Sequence, residues 1–226
     1  MTNRRDDDTL DSDAEAPSES GVSDHDVTAA GTSRKRPKPG ERRVQILQTL
    51  AAMLEQPGAE RVTTAALAAR LGVSEAALYR HFASKAQMFE GLIEFIETSI
   101  FTLVNQISER EPSGTQQARR IVTVLLQFGE RNPGMARVMV GDALVFEHDR
   151  LVARMSQFFD RIESQLKQGL RESGDAAGSV TSTIDANALA SVLTSFAIGR
   201  LQRYARSGFK RSPTEHLDAA LNLIAA

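Results

Sequence analysis

The 226-residue sequence contains neither cysteine nor tryptophan, and aromatic residues make up only 5% of it. The absence of cysteine excludes disulfides, thiolate metal ligands and a cysteine nucleophile. The sequence also lacks an apolar run long enough to cross a bilayer, and its first residues do not form a signal-peptide pattern. These absences predict a cytoplasmic protein with no membrane contact.

Charge is distributed unevenly along the chain. Residues 1–33 contain nine acidic and two basic side chains, a net charge of −7, whereas the whole chain carries −2. This segment has almost no large apolar side chains, so we predict a disordered acidic tail. Residues 34–40 form a basic arm, and two interpretations of it stay open, a DNA-contacting arm and a solvated charged run. Residues 34–226, with the arm included, carry a net charge of +5, and a basic remainder of this kind is typical of nucleic-acid binders.

Apolar residues recur with the period of a helix from just after Gly40 almost to the C-terminus, and no alternating pattern of useful length occurs. The hydrophobic content of 41% suffices for a sizeable core. We therefore predict an all-α fold of about nine helices. The predicted helices are one from Glu41 to before Pro57, Thr63–Arg70, Glu75–His81, one from Ser84 through Ile100, Ser113–Arg131, Met135–Ala143, Glu147–Arg171, Asp185–Ser207 after a small-residue loop at Gly174–Ser182, and a ninth that opens at Ser212-Pro213-Thr214-Glu215.

The most informative stretch runs from Thr63 to Phe82. Two short helices cross steeply only where the side chains between them are small, and Ala68 occupies such a position. Gly72 suits a tight turn with a positive φ, which residues with a β-carbon adopt at a cost. The apolar residues predicted behind the pair are Leu67, Leu71, Val73 and Leu78. This pattern predicts a helix-turn-helix, although an ordinary helical hairpin with a small-residue crossing has the same spacing.

A helix-turn-helix offers the polar side of its second helix to DNA. The first residues of that helix reach base edges, while hydroxyls, amides and cations hold phosphates. Thr63 and Thr64 stand at the start of the preceding helix, where free amides attract a phosphate. The side chains predicted to be exposed on the second helix are Ser74, Glu75, Ala77, Tyr79, Arg80 and His81. With Arg42 and Lys85, these are the candidate DNA-binding residues.

The run Leu78-Tyr79-Arg80-His81-Phe82, followed by Ser84-Lys85 and a long helix, resembles the TetR family of transcriptional regulators. The resemblance extends from about Glu41 to the C-terminus. More specific stretches resemble the nucleoid-occlusion branch of that family; they are Val73–Phe82 with Gly91–Glu97, Phe128–Gly134, and Phe146-Glu147 with Asp149-Arg150-Leu151. The acidic tail lies outside the pattern, and the Ser173–Thr183 loop matches no part of it.

This resemblance implies a TetR-like architecture, with a helix-turn-helix domain over residues 41–86 and a regulatory and dimerisation domain over residues 87–226. It implies a nucleoid-associated homodimer that binds palindromic chromosomal DNA and, when bound, antagonises polymerisation of the tubulin-like division protein FtsZ. The FtsZ tail is then expected near the fourth and fifth helices, at Phe95, Arg131 and Asn132. The sequence departs from the pattern at Leu103 and Gln127, where arginine and glycine are expected.

These residues also have structural interpretations. Phe95 on an amphipathic helix is as readily a core residue, and Arg131-Asn132-Pro133-Gly134 is a common way to end a helix. The last two long helices carry apolar stripes that predict a four-helix contact around a two-fold axis, although part of each stripe is expected to pack within one subunit. The stripes are Leu189, Val192, Leu193 and Phe196, and Leu217, Leu221 and Ile224.

Two other functional classes stay open. A TetR-type ligand-responsive repressor would hold a small molecule in its regulatory domain, but two tyrosines and no tryptophan disfavour an aromatic-lined pocket. Catalysis is disfavoured because the four histidines are scattered and no phosphate-binding glycine loop occurs. In Glu147-His148-Asp149, consecutive helical side chains point in different directions and so do not converge on one metal ion. We therefore expect a protein that is not an enzyme and that has no metal or cofactor.

Overall fold

The computed structural model describes residues 40–56, 61–176 and 183–225, and over these ranges the chain is helical with no strand, as the periodicity predicted. A 3-10 helix (Asp142–Leu144) precedes the seventh α-helix. The α-helices are α1 (Glu41–Leu54), α2 (Thr64–Leu71), α3 (Glu75–Tyr79), α4 (Lys85–Arg110), α5 (Gly114–Arg131), α6 (Pro133–Met139), α7 (Asp149–Ala176), α8 (Thr183–Arg206) and α9 (Leu217–Ile224).

Side-chain caps set the starts of four helices. The Thr63 hydroxyl accepts a hydrogen bond from the Ala66 amide at 3.1 Å. Ser74, Ser84 and Ser113 accept in the same way from the amides three residues later, at 3.3, 3.2 and 3.4 Å. Each cap satisfies an amide that has no partner inside its helix. The predicted starts of α2 to α5 are therefore confirmed.

One hydrophobic core runs through the described helices. Helix α5 packs against α4, α7 and α8, and its buried side chains recur at helical spacing. Helix α1 packs against α2, α4 and α6, so the short helices near the N-terminal end are attached to the larger bundle. Helix α4 begins at Lys85 and continues into the bundle, which means that one rigid element crosses the predicted domain limit at residue 86.

The chain turns sharply between α5 and α6, where Gly134 lies against α1. A β-carbon at this position would overlap the Ala51 carbonyl oxygen and would meet the Leu54 β-carbon at 3.3 Å. Asn132 ends α5, because its backbone and side-chain nitrogens both donate to the Phe128 carbonyl, at 3.0 and 2.8 Å. This segment therefore ends a helix, as the structural interpretation expected, and its glycine lets α6 approach α1.

The predicted limits of the sixth and seventh helices are wrong. Helix α6 begins at Pro133 and ends at Met139, because Gly141, with φ 84°, separates it from the 3-10 helix. Helix α7 begins at Asp149, after Glu147 and His148, and continues to Ala176. It thus includes the first residues of the predicted small-residue loop.

The predicted start of the ninth helix is also wrong. Instead of capping a helix, the hydroxyls of Ser212 and Thr214 donate to the Glu130 carboxylate. His216 then adopts a left-handed conformation with φ 53°, and α9 begins only at Leu217. A local capping pattern was overridden here by a contact with a residue more than eighty positions away.

The apolar stripes of α8 and α9 are partly buried within the chain. Leu193, Leu217 and Leu221 face the core, whereas Val192 is 51% exposed. Leu223, which was not predicted, is 88% exposed. The half-buried members are Leu189, Phe196 and Ile224. Packing within one chain therefore accounts for only part of each stripe, as expected.

Several predictions fall outside the described residues. These are the acidic tail over residues 1–33, residues 34–39 of the basic arm, the stop at Pro57 and Gly58, and residues 177–182 of the predicted loop. Across the described ranges, no helix is both long enough and apolar enough to span a membrane.

Candidate nucleic-acid interface

Helix α2 begins at the surface with Thr63 as its cap. The extended backbone at Thr63 (φ −96°, ψ 153°) holds its hydroxyl against the Ala66 amide. The Thr64 hydroxyl donates to Glu75 Oε2 at 2.6 Å, which ties the first turn of α2 to the first turn of α3. Both threonine side chains therefore already have a hydrogen-bond partner inside the motif. The amides at this helix end carry the partial positive charge that favours a phosphate.

The turn between α2 and α3 is built on Gly72, whose φ of 65° and ψ of 38° are left-handed. The Gly72 amide donates to the Ala69 carbonyl at 3.1 Å, and the Val73 amide donates to the Ala68 carbonyl at 3.0 Å. These two bonds satisfy the last carbonyls of α2. Ala68 is buried, together with Leu67. The left-handed turn predicted at Gly72 is confirmed, and the burial of Ala68 agrees with its predicted position between the two helices.

Helix α3 presents a polar face, but not quite the predicted one. Leu78 is buried and fixes the inward direction of the helix. Ala77, predicted to be exposed, is half-buried, and Ala76 is exposed instead. The helix also ends at Tyr79 rather than at His81, because the amides of residues 81 and 82 both donate to the Leu78 carbonyl. The remaining predicted residues are exposed: Ser74, Glu75, Tyr79, Arg80 and His81.

Arg43, which the sequence pattern did not single out, lies beside this candidate interface. Its Nη1 donates to the His81 carbonyl at 3.0 Å, and its guanidinium carbon lies 4.1 Å from the centre of the Phe82 ring. Arg43 therefore fastens the end of α3 to α1. The neighbouring candidate, Arg42, hydrogen-bonds to Gln45 at 2.8 Å on its own helix. The two arginines are adjacent in the chain, and no local pattern tells which of them faces Phe82.

Two candidate cations on either side of the α3–α4 turn differ in their surroundings. Arg80 is exposed and forms no ion pair with another described residue. The Lys85 ammonium is paired with the Glu147 carboxylate and lies 5.7 Å from the centre of the Phe89 ring. Arg80 is thus available to meet a phosphate, whereas Lys85 is engaged with the body of the protein.

A second surface lies on α4 and α5, where the partner-binding residues were predicted. Phe95 is 49% exposed, which rules out the core interpretation, and its ring centre is 6.2 Å from that of Phe128. The Phe128 carbonyl in turn holds Asn132. Arg131 is exposed and makes no ion pair within the described ranges. The structure therefore brings an exposed ring and an exposed guanidinium to the same end of α5.

A metal site needs several histidine or acidic side chains that converge on one point. In the part of the chain that the structure describes, no three histidine or acidic side chains are grouped so that they could hold an ion. Glu147 is turned to Lys85, and the His148 ring accepts a hydrogen bond from the Arg150 amide at 3.3 Å. Glu147 and His148 thus have separate contacts.

Solved structures share this fold. The regulator MbdR from Azoarcus sp. CIB aligns with a TM-score of 0.68 and 18% identity, over 81% of this chain and 97% of its own. The TetR family regulator PfmR from Thermus thermophilus aligns with a TM-score of 0.63 and 22% identity, over 81% and 95%. At these identities the likeness shows the fold alone.

Sequence relatives are more specific. Residues 46–92 match the family model for bacterial regulatory proteins of the tetR family, and residues 114–226 match that for the SlmA-like, tetracyclin repressor-like C-terminal domain. The nucleoid occlusion factor SlmA of Idiomarina loihiensis is 54% identical over 79% of this chain and 90% of its own length. The protein of the same name from Salmonella paratyphi B is 52% identical over 86% and 98%. The matched families are DNA-binding regulators, and none of them is an enzyme family. The chain therefore belongs to the nucleoid occlusion factor SlmA family of TetR-type DNA-binding proteins.

Proposed function

We propose that this protein binds palindromic chromosomal DNA as a homodimer and, in the bound state, antagonises FtsZ polymerisation, so that no septum forms over the nucleoid. The observation that carries the FtsZ part is the exposed Phe95 ring at the same end of α5 as Arg131, which has no ion pair among the described residues. It is supported by the membership of the chain in a family whose relatives are named nucleoid occlusion factors.

In this proposal residues 41–86 are the DNA-binding domain. The first turn of α3 enters the major groove, where the Glu75 carboxylate suits the amino group of a cytosine. Arg80 and the amides at the start of α2 hold phosphates on either side. The proposed DNA-binding set is Arg42, Thr63, Thr64, Ser74, Glu75, Ala77, Tyr79, Arg80 and His81. Lys85, the remaining candidate, is left out of it because its ammonium is paired with the Glu147 carboxylate.

Residues 87–226 are proposed as the regulatory and dimerisation domain. Val192 on α8 and Leu223 on α9 have exposed apolar side chains. A contact between two copies of the chain through α8 and α9 would bury them. Such a contact has two-fold symmetry, and two symmetric helix-turn-helix units recognise half-sites of a palindrome.

The FtsZ tail is proposed to dock beside α4 and α5. Phe95 and Phe128 offer an apolar surface, and Arg131 offers a guanidinium that suits a carboxylate of a peptide. Asn132 is held by the Phe128 carbonyl, which fixes the end of α5 beside this surface. An aromatic anchor beside a charged group is typical of the residues that dominate binding energy at interfaces.

The test is sedimentation of GTP-assembled FtsZ with the protein alone and with the protein bound to a palindromic fragment. The proposal expects less FtsZ in the pellet, with the larger effect in the presence of DNA. A ligand-responsive repressor is the alternative function. It would leave the FtsZ pellet unchanged and would release its DNA on addition of a metabolite, and that pair of results would overturn the proposal.

A further inference from the structure

A polar pocket lies at the carboxyl end of α8, where the chain turns towards α9. Its volume is ≈ 230 Å³. The pocket is far from the helix-turn-helix in sequence, and none of the candidate residues above contributes to it. Its lining residues are Arg200, Arg203, Arg211, Ser212, Glu215 and His216.

The pocket contains more positive than negative charge. Arg203 and Arg211 are exposed, and neither forms an ion pair with another described residue. The acid among the lining residues, Glu215, has its carboxylate 3.7 Å from His216 Nε2. Three guanidinium groups, which remain ionised at any physiological pH, therefore face one carboxylate. An anion in the pocket would offset their mutual repulsion.

The guanidinium of Arg200 is already held in place. Its Nη1 donates to the Glu215 carbonyl at 2.7 Å, and its guanidinium carbon lies 4.9 Å from the centre of the Phe196 ring. These contacts leave the other nitrogens of the fork as donors. A positioned guanidinium loses less conformational entropy when it binds a ligand than a freely rotating one does.

The segment between α8 and α9, which lines one side of the pocket, is held by hydrogen bonds on its side away from the pocket. The Glu130 carboxylate accepts from the hydroxyls of Ser212 and Thr214, the latter at 2.7 Å. The Ser207 hydroxyl accepts from the amides of Lys210 and Arg211 at 3.1 and 3.0 Å. These hydrogen bonds hold the backbone that carries Arg211 and His216 in one conformation before any ligand binds.

Backbone strain is concentrated in this same loop. Among the described residues, the non-glycine residues with positive φ are Phe209 (65°) and His216 (53°), which flank Ser212 on either side. The Phe209 ring is clamped between Tyr204, at 5.1 Å between ring centres, and the Arg137 guanidinium at 5.0 Å. Strained residues that the surrounding structure holds in place tend to lie at functional sites.

We propose that this pocket is a binding site for a small phosphate anion of about the size of a diphosphate. Guanidinium groups bind phosphate oxygens through paired, charge-assisted hydrogen bonds, and three of them line the cavity. The volume is below the range of about 300–1,000 Å³ that is usual for drug-sized ligands, which favours a phosphate group over a whole nucleotide. The diphosphate enters as a free anion or as part of a larger molecule whose remainder stays in solvent.

The test is calorimetric titration of the full-length, DNA-free protein with inorganic pyrophosphate at low salt. We expect one site per chain, and affinities about tenfold weaker in Arg203→Gln and in Arg211→Gln, each of which removes one charge-assisted contact. Both side chains are exposed, so the variants should fold, and circular dichroism checks this. Arg110→Gln, an equal loss of charge at an exposed position outside the pocket, and Arg80→Gln, on the DNA-facing helix, are the controls and should keep the wild-type affinity.

A second arm separates the sources of the phosphate. If pyrophosphate binds, the ligand is a free anion. If only phosphatidylglycerol vesicles bind, and Arg203→Gln abolishes this binding, the ligand is a lipid headgroup. The absence of both kinds of binding overturns the site. So does an affinity that falls equally in Arg110→Gln, since the interaction would then be with overall charge, or one that falls only in Arg80→Gln, since the anion would then occupy the DNA-binding face.

Discussion

Lys85, the first residue of α4, is ion-paired with Glu147, which lies 62 residues later in the segment before α7. Two more pairs continue along the same helices, Arg150 with Glu90 at 2.8 Å and Arg154 with Glu97 at 2.5 Å. The hydrogen bond from Arg154 to Glu97 raises the pKa of that arginine. The helix that leaves the helix-turn-helix is thus joined to α7 and the segment before it by a row of charges.

The ion pair gives Lys85 a role other than phosphate binding. Each phosphate that a protein neutralises contributes about −0.9 to the slope of log affinity against log salt. Lys85→Gln should leave this slope unchanged, because its ammonium is already paired with Glu147. Arg80→Gln should make the slope shallower by about 0.9, since Arg80 has no ion pair among the described residues. Fluorescence anisotropy on a palindromic fragment at several salt concentrations measures both. Equal changes in the two variants would place Lys85 on DNA.

The same pair should contribute to stability. The Glu147 side chain is 9% exposed and that of Lys85 26%, so removing either partner leaves a charge that is poorly solvated. We expect a loss of about 1.5–3 kcal/mol for Glu147→Gln in urea unfolding, the range for hydrogen bonds to charged groups. In a double-mutant cycle, Lys85→Gln and Glu147→Gln should cost together less than the two single losses added. Additive losses would contradict a direct interaction.

Arg131 should separate FtsZ antagonism from DNA binding. It is exposed, unpaired among the described residues and remote in sequence from the helix-turn-helix. Arg131→Ala should therefore keep the wild-type affinity for a palindrome and lose most of the inhibition of FtsZ sedimentation. Arg110→Ala, an exposed arginine at the end of α4, is the matched control. Inhibition that survives in Arg131→Ala removes this residue from the proposed site.

The sequence predicted the elements whose causes are local. The caps at Thr63 and Ser74 and the left-handed Gly72 follow from side chains within three residues, and the structure confirms them. The features that the sequence did not predict depend on residues distant in the chain. Ser212 donates a hydrogen bond to the Glu130 carboxylate and does not begin a helix. Arg43, and not Arg42, packs on the Phe82 ring. Periodicity predicted that Phe95 lies on an amphipathic helix. It did not predict whether another helix covers the Phe95 ring, because the exposure of that ring depends on how α5 packs against α4.

The close packing of α6 on α1 should require a glycine at position 134. A β-carbon there would overlap a backbone carbonyl oxygen, that of Ala51, which cannot move without shifting the helix. Gly134→Ala should therefore lower the free energy of unfolding by about 1–3 kcal/mol, as overpacking does. Gly169→Ala is the control, because its β-carbon would meet only the movable end of the Gln117 side chain, at 2.6 Å. If both variants unfold alike in urea, the close approach at Gly134 is not what requires the glycine.

Tyr204 should titrate above its ordinary range. Burial, with a smaller contribution from the charges of Glu130 and Glu55, raises the pKa of Tyr204 above the usual 10.0. The native state then holds the phenol proton more tightly than the unfolded chain, so this contribution to stability is complete below about pH 10 and is lost as pH rises through the native pKa. In Tyr79→Phe, phenolate absorbance reports Tyr204 alone, and its midpoint should fall towards about 10 on adding urea. The same midpoint in both states would contradict the burial argument.

The exposed face of α8 should be a dimer contact. Val192 and Phe196 share this face with Gly199, since they are spaced three, four and seven residues apart. A β-carbon at Gly199 would meet nothing within 4 Å inside the chain, so the chain's own packing does not require a glycine that costs a helix about 0.5–1 kcal/mol relative to alanine. Close approach of a second copy would supply the reason.

Two variants test this contact by sedimentation velocity over a range of protein concentrations. Val192→Glu places a charge in the proposed interface and should convert the dimer to monomer, whereas Val152→Glu makes the same change at another exposed valine, on α7, and should leave the dimer intact. Gly199→Ala should weaken the dimer about tenfold, which corresponds to about 1.4 kcal/mol. A dimer that tolerates both Val192→Glu and Gly199→Ala would exclude this face of α8, and the two-fold symmetry invoked for palindromic DNA would need another origin in the fold.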